Sequence, residues 1–202
     1  PSPADNAAIS SLLTELEMFK LLDKLGISAS EAEAAAPVQT VEHAPVEVEL
    51  KPLTAGDVKS FDEVSYLFDG TVLSVRSGDT VLSTKETDEI LAFLSSPCKK
   101  ITIDAKPHYR YAMANGISLC GLACDAALCG YLLNTSASDY TIEKLCAEYG
   151  VHYCTENGEF ADLVSLKELT EKLLAEVDRE GMTDLLYNIE MPLTEVLASM
   201  EH

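Results

Sequence analysis

Basic side chains are scarce in this chain of 202 residues: 14 Lys and Arg stand against 34 Asp and Glu, which gives a formal net charge of −20. The densest basic group is Lys99 and Lys100 with Lys106 and Arg110, and these four do not form a true cluster. Nucleic-acid binding needs basic side chains that neutralise phosphates, so the charge balance disfavours a free-standing DNA-binding protein. The net charge of the whole domain is, however, a weak argument against a single local groove that binds nucleic acid.

Long apolar runs and export signals are missing as well. No run of about 18 apolar residues occurs, which excludes a membrane-spanning helix. The N-terminal stretch PSPADNAAIS has neither a basic region nor an apolar one, so we expect no signal peptide. The sequence also lacks a glycine-rich phosphate loop, a GxSxG elbow and an HExxH motif. We therefore expect a cytoplasmic protein that does not contact a membrane.

The chain has six cysteines, at positions 98, 120, 124, 129, 146 and 154. No CxxC pair occurs among them, and the spacings of Cys120, Cys124 and Cys129 are not those of a zinc ribbon. Buried thiols in a reducing compartment are the favoured interpretation. A zinc site or thiol sensor that combines these cysteines with His108 or His152 is the alternative.

The apolar pattern divides the chain into three parts. Residues 1–27 carry an apolar stripe at helical spacing, which predicts an amphipathic helix that Gly26 ends. Residues 28–46 are rich in Ala, Glu and Pro and predict a linker. The chain is long enough for one domain with a proper core, and we assign that domain to residues 47–202.

Short apolar runs predict the sheet of this domain. VEVEL (46–50) alternates and can begin a strand, and runs at 64–68, 71–77 and 80–84 are separated by the turn signals Asp69-Gly70 and Ser77-Gly78-Asp79. These three runs predict an antiparallel meander. A helix at 88–94 then leads to a strand at 101–103, which we expect to add parallel to the meander.

Three helices are predicted after that strand. Pro107 fits the first turn of the first helix, and Asn115-Gly116 ends it. Asp125 is the predicted N-cap of the second helix, and Ser138 or Asp139 is that of the third.

A loop over 151–162 and two further helices complete the predicted domain. The first of these helices is amphipathic and ends at Gly181. The last covers 185–200, and Pro192 inside it predicts a kink or break near Met191.

A family resemblance lies in three central runs: DAKPHYRYAMANGI (104–117), GLACDAALCGYLLN (121–134) and YTIEKLCAEYG (140–150). They resemble the 3′–5′ exonuclease domain of bacterial DNA polymerase I, a ribonuclease-H-like exonuclease of the family A polymerases. LLYNIEMPLTEVLASME (185–201) resembles the segment that joins this domain to the polymerase domain. The resemblance, which extends from about residue 61 to the C-terminus, implies an α/β fold with a mixed sheet, an antiparallel meander plus a parallel strand, and helices packed around it.

Active members of this family hydrolyse phosphodiesters with two divalent metal ions, which about four carboxylates must hold. The first family motif is Asp-x-Glu, but this sequence has Asp69-Gly70-Thr71, where a hairpin turn is the favoured role of Asp69. The second is His-Asn-x-Lys-x-Asp. Aligned on Lys106, Asp104 replaces the Asn and His108 replaces the metal-binding Asp. Histidine is a poor magnesium ligand, and an exposed His108 on the first helical turn is the favoured interpretation.

The third family motif places a Tyr four residues before an Asp. The matching region contains Asn157, Gly158, Ala161 and Asp162 and does not have this spacing. Asp125 matches an aspartate of the family pattern, although an N-cap is its simpler role.

One aromatic feature remains in the first of the three central helices. Tyr109 and Tyr111 beside Arg110 could stack on single-stranded bases, but helix packing is the more common role of such tyrosines.

The resemblance and the missing ligands together predict an inactive exonuclease-like domain that supports the polymerase domain of a bacterial DNA polymerase I. No catalytic, cofactor-binding or metal-binding residues are expected, and the degenerate positions are Asp69, Asp104, His108, Asp125 and Asp162. In this interpretation the domain contacts DNA only indirectly or weakly. The alternative is a residual 3′–5′ exonuclease that uses the four aspartates with Mg²⁺ or Mn²⁺ in a rearranged site.

Overall fold

The computed structural model describes residues 46–201. The predicted helix of residues 1–27 and nearly all of the predicted linker lie outside the described residues. Within 46–201, no helix is both long and apolar enough to cross a membrane.

A mixed six-stranded sheet forms the centre of the domain. Its strands are β1 (Glu49–Pro52), β2 (Glu63–Phe68), β3 (Leu73–Ser77), β4 (Thr80–Thr84), β5 (Lys99–Thr102) and β6 (Leu122–Asp125), in the order β1-β4-β3-β2-β5-β6. Strands β2, β3 and β4 pair antiparallel, and β1 adds parallel to β4. Strand β5 pairs parallel with β2, and β6 with β5. The predicted meander and the predicted parallel strand are confirmed.

Strand β6 was not predicted: the sequence analysis placed only a helix end at Asn115-Gly116 and a helix N-cap at Asp125 around it. Its sequence, LACD, is short and has no alternation of apolar and polar residues. Pairing with β5 creates the strand, and the register shifts between Lys100 and Ile101. Its last residue, Asp125, is at the same time the N-cap of the next helix.

The helices surround the sheet. They are α1 (Ala55–Val58), α2 (Thr87–Ser95), α3 (Lys106–Ala114), α4 (Ala126–Leu133), α5 (Ile142–Tyr149), α6 (Ala161–Arg179), α7 (Thr183–Leu185) and α8 (Met191–Met200). A 3₁₀ helix, Thr155–Phe160, lies where the sequence predicted a loop, and a π-helical segment, Leu186–Glu190, precedes α8.

Most helix ends follow their predicted signals. Pro107 lies in the first turn of α3, and Gly116 has a left-handed φ of 71° just after it. The α5 prediction was wrong, because Thr141 precedes the helix and neither Ser138 nor Asp139 caps it. The Asp139 carboxylate instead accepts a hydrogen bond from Lys144.

The predicted kink or break near Met191 does not occur as a break: the helix continues through Met191, and the irregularity before Pro192 is a π-helical turn. Proline has no backbone N–H and cannot close a normal helical hydrogen bond with the preceding turn. The chain forms the wider π-helical turn over Leu186–Glu190 and returns to α-helix at Met191.

Two hydrophobic cores lie on opposite faces of the sheet, because successive side chains of a strand point to opposite sides. Val64, Tyr66 and Phe68 of β2 belong to the first core, with residues of α2 and α3. Leu67 packs against the second core, which α4, α5 and α6 cover.

The cysteines are mainly core residues, which confirms the predicted burial for five of the six. All six are free thiols, and all but Cys120 are buried. Cys124 and Cys129 lie 3.5 Å apart between their sulfur atoms, and this contact together with burial raises the pKa of Cys124 far above its usual value. A buried thiol that remains protonated is a poor nucleophile.

Lys100 is fully buried within the sheet and forms no ion pair with a carboxylate of residues 46–201. Its ammonium donates to the carbonyl oxygens of Ser96 (2.6 Å), Cys98 (3.2 Å) and Cys120 (2.8 Å) and lies 5.1 Å from the centre of the Phe93 ring. Burial lowers the pKa of Lys100. Three backbone carbonyls and an aromatic face therefore take the place of water around this charge.

Candidate active site

A cavity of about 380 Å³ lies beside the carboxyl ends of β2 and β5. Phe68 and Asp69 border it from the end of β2, Ile103 from the end of β5, and Phe160 and Leu163 from the start of α6. Most of its wall is apolar. The ionisable side chains of the wall are those of Asp69, His108 and Glu159.

Asp69 forms the tight turn that the sequence predicted. Its Oδ1 accepts backbone N–H bonds from Thr71 (2.8 Å) and Val72 (2.7 Å). These two bonds hold the pKa of Asp69 below its usual value. The carboxylate is exposed, but one of its oxygens is already occupied by the turn.

Asp125 is almost completely buried, and both of its oxygens are used by the backbone. Oδ1 accepts from the N–H groups of Asp104 and Ala127, both at 2.9 Å, and Oδ2 accepts from the N–H of Ala105 at 2.7 Å. The predicted N-cap is confirmed by the Ala127 bond. The other two bonds fix the connection between β5 and α3.

Asp104 lies in that connection with a left-handed φ of 52°, the one such non-glycine residue in the described part of the chain. Its side chain is exposed. A left-handed conformation costs about 1 kcal/mol for a non-glycine residue. The two N–H bonds to Asp125 offset this cost.

His108 is buried, and the prediction of an exposed histidine was wrong. Its Nε2 lies 3.0 Å from the carbonyl oxygen of Phe68, and its Nδ1 lies 2.9 Å from the hydroxyl of Tyr66. A carbonyl can only accept, so Nε2 carries the hydrogen and the Tyr66 hydroxyl donates to Nδ1. The first turn of α3 faces β2 here, which turns the imidazole away from solvent.

Burial lowers the pKa of His108. Because the folded state holds the neutral imidazole, stability from this group is complete above the unfolded pKa of about 6.5 and is lost as the pH falls toward the folded pKa. We expect the free energy of unfolding of the wild type to fall more steeply between pH 7.5 and pH 5 than that of His108→Gln, as measured by urea denaturation. Because both proteins carry the same carboxylates, the difference between their pH profiles reports His108 alone. Parallel pH profiles of the two proteins would contradict the prediction.

Asp162 lies away from the cavity wall, in the first turn of α6. Its Oδ1 accepts a hydrogen bond of 2.9 Å from the Tyr153 hydroxyl, and burial together with this bond raises the pKa of Tyr153 to about 12. A Tyr–Asp pair therefore exists, but its members are nine positions apart instead of four. Phe160, which the sequence analysis did not select, lines the cavity on this side.

The structure does not gather the predicted positions into a metal cluster. Among residues 46–201, three potential ligand atoms of His, Cys, Asp or Glu lie within 4.8 Å of one another at one place, formed by His152, Cys154 and Glu156. This group includes none of the five degenerate positions. It also excludes Cys120, Cys124 and Cys129, which were the cysteines of the zinc alternative.

The tyrosines of α3 pack inside the domain, as the more common interpretation predicted. Tyr109 is buried, and Tyr111 forms an edge-to-face contact with Phe68 at 4.7 Å between ring centres. Tyr109 is thus unavailable for base stacking, and half-buried Tyr111 takes part in packing against Phe68.

Comparison with known proteins assigns the fold. Residues 69–160 match the family model described as DNA polymerase I, ribonuclease H-like domain. The structure is similar to Pol1 from M. smegmatis, solved as a complex with DNA primer-template and dNTP (TM-score 0.59, 21% identity), and the match covers 75% of this chain and 32% of that chain. The chain thus spans about a third of that protein.

Nucleases of similar fold also match. NrnC from Brucella melitensis has a TM-score of 0.58 and 13% identity, with 76% of this chain and 93% of that chain covered. Its form with bound Mg²⁺ has a TM-score of 0.56 and 15% identity over 76% and 94% of the two chains. At such identities the structural matches establish a ribonuclease-H-like fold alone. No curated protein matches the chain in sequence.

Proposed function

We propose that this domain, whose residues 69–160 match the family model described as DNA polymerase I, ribonuclease H-like domain, is the exonuclease-like domain of a DNA polymerase I that has lost its exonuclease activity and supports a polymerase domain structurally. The parent protein in this proposal is a bacterial, cytoplasmic DNA-directed DNA polymerase that acts in replication and repair. The domain itself contacts DNA only indirectly or weakly.

The contacts of Asp125 and His108 are the observation that carries the loss of activity. A two-metal site needs carboxylate oxygens with free lone pairs that point into one space. Both oxygens of Asp125 accept backbone N–H groups, and both ring nitrogens of His108 are hydrogen-bonded within the protein. The residues at these positions do not fit a pair of magnesium ions.

The composition of the cavity wall also supports the loss of exonuclease activity. Phe160 lines the side from which α6 starts, and Leu163 lies next to it. The Asp162 carboxylate of the same turn is bonded to Tyr153 instead. Apolar side chains at the carboxyl ends of β2 and β5 and at the start of α6 cannot compensate the negative charge of a phosphodiester.

An apolar surface at the end of the domain supports the structural role. The exposed apolar side chains of residues 187–200 are those of Tyr187, Ile189, Leu193, Val196, Leu197 and Met200. The opposite face of α8, with Thr194 and Ala198, packs inside the domain. Such a surface fits contact with another domain, and the polymerase domain is the proposed partner.

The direct test is a 3′-end degradation assay on single-stranded DNA labelled at its 5′ end, with Mg²⁺ and separately with Mn²⁺. We expect no shortening at high protein concentration, while an active nuclease of the same fold digests the DNA in parallel. The matched variant is Asp69→Asn with Asp104→Asn, because both side chains are exposed and their replacement leaves the core intact.

Digestion that a chelator stops and that this double variant lacks would overturn the proposal in favour of the residual nuclease. Digestion that persists unchanged in the double variant identifies a contaminating enzyme.

A further inference from the structure

His152, Cys154 and Glu156 lie together beyond α5, outside the cavity of the candidate active site. One potential ligand atom from each, an imidazole nitrogen, a thiol sulfur and a carboxylate oxygen, lies within 4.8 Å of the other two. We propose that these three side chains bind one transition-metal ion of the zinc class. The site is separate from phosphodiester hydrolysis and does not depend on the function proposed above.

The local backbone explains why the three side chains meet. The chain makes a tight turn at Cys154, in which the N–H of Thr155 donates to the carbonyl oxygen of Tyr153 (2.8 Å). The 3₁₀ helix then begins at Thr155 and turns Glu156 back toward the histidine. The Nε2 atom of His152 lies 2.8 Å from Oε1 of Glu156.

The spacing of the atoms suits a tetrahedral ion after small shifts. Zinc bonds of about 2.0 to 2.3 Å place neighbouring ligand atoms about 3.3 to 3.8 Å apart. The His152–Glu156 distance must therefore open by about 0.5 Å, and the most distant pair, at up to 4.8 Å, must close by about 1 Å. Three protein ligands leave the fourth position for water.

The donor set selects the metal. A thiolate and an imidazole favour zinc and similar borderline-soft ions, whereas magnesium prefers oxygen ligands alone. Cys154 is buried, and its backbone N–H donates to Oγ of Ser165 (2.9 Å), which holds the backbone of this residue against α6. His152 and Glu156 are half-buried.

Charge favours a dication at this place. Tyr153, between two of the ligands, is bonded to the Asp162 carboxylate and lies near that of Glu143. The whole chain carries a net charge of −20. On binding, the Cys154 thiol releases its proton to solvent, and His152 binds as the neutral imidazole with its ring hydrogen on the nitrogen that does not contact the ion. The thiolate and the Glu156 carboxylate together balance the two charges of the ion.

The test uses the full chain with its thiols reduced. We expect calorimetric titration with Zn²⁺ to give one ion per chain, and Co²⁺ to produce the ultraviolet absorption band of a cobalt–thiolate bond. Cys154→Ser should remove that band and weaken binding by about 100-fold or more, since even indirect ligand contacts contribute about 10- to 100-fold. Glu156→Gln, which retains the shape of the side chain, should weaken binding as well.

The matched controls are Cys120→Ser, which removes a partly exposed thiol elsewhere, and Glu159→Gln, which removes an exposed carboxylate from the same 3₁₀ helix. Both should bind Zn²⁺ as the wild type does. Far-UV circular dichroism confirms that each variant is folded. The proposal is overturned if the wild type binds no stoichiometric zinc, or if Cys154→Ser and Glu156→Gln both bind with unchanged affinity.

Discussion

Gly121→Ala is expected to lower the free energy of unfolding by about 4 kcal/mol. Gly121 has a φ of 71°, and a Cβ added there would lie 2.1 Å from the carbonyl oxygen of Cys98 and 3.0 Å from that of Pro97. Both contacts are with backbone atoms, which cannot move as a flexible side chain can. The cost is therefore the left-handed strain together with a displacement of the chain at β5.

The displaced carbonyl matters because it belongs to the surroundings of Lys100. Cys98 is one of the three acceptors of the buried ammonium, and Cys120, next to Gly121, is another. The backbone N–H of Lys100 also donates to the carbonyl oxygen of Gly121 (2.8 Å). A shift here therefore weakens the interactions that compensate a buried charge.

Urea denaturation measures this loss, and Gly116→Ala is the matched control. Gly116 has the same φ of 71°, but a Cβ there would meet no atom within 4 Å. Gly116→Ala should lower the free energy of unfolding by about 1 kcal/mol, because only the strain of the left-handed conformation is introduced. Equal losses of unfolding free energy in the two variants would show that the contact between the added Cβ and the Cys98 carbonyl does not destabilise the protein.

Asp125→Ala is expected to lower the free energy of unfolding by about 3 to 5 kcal/mol. The substitution leaves the N–H groups of Asp104, Ala105 and Ala127 without their acceptor in a largely buried place. It also releases the left-handed Asp104 and removes the N-cap of α4. Asp125→Asn should fall between wild type and Asp125→Ala, because its amide retains a single acceptor oxygen.

Asp69→Ala is the control for this prediction. Asp69 also accepts two backbone N–H groups, but it is exposed and water can replace it. We expect its removal to cost about 1 kcal/mol in the same urea experiment. If Asp69→Ala lowered the free energy of unfolding as much as Asp125→Ala, burial would not be what determines the effect of removing the carboxylate.

Local signals in the sequence account for the parts of the fold that were predicted. The Asp69-Gly70 turn and the cap at Asp125 depend on residues within three positions of each other, so a single sequence contains the information. Strand β6 does not have this property. Its four residues form a strand because β5 lies beside them, and nothing within LACD indicates that neighbour.

The environment of the candidate site was harder to predict, since it depends on contacts between distant residues. The burial of His108 requires Tyr66 and Phe68, which belong to another strand. The group of His152, Cys154 and Glu156 was missed for a different reason. Its three potential metal ligands occupy alternate positions of the sequence HYCTE. This local pattern was overlooked because the region was assigned to a loop.

The packing of α8 has a consequence for how the protein is made. Ala198 is fully buried in the same core as Tyr66 of β2, and Glu201 forms ion pairs with Lys106 and Arg110 of α3. A chain emerging from the ribosome therefore cannot close this core until residue 201 has left the exit tunnel. Until then the outer side of α3 remains uncovered, and it is the surface that a ribosome-bound chaperone would meet.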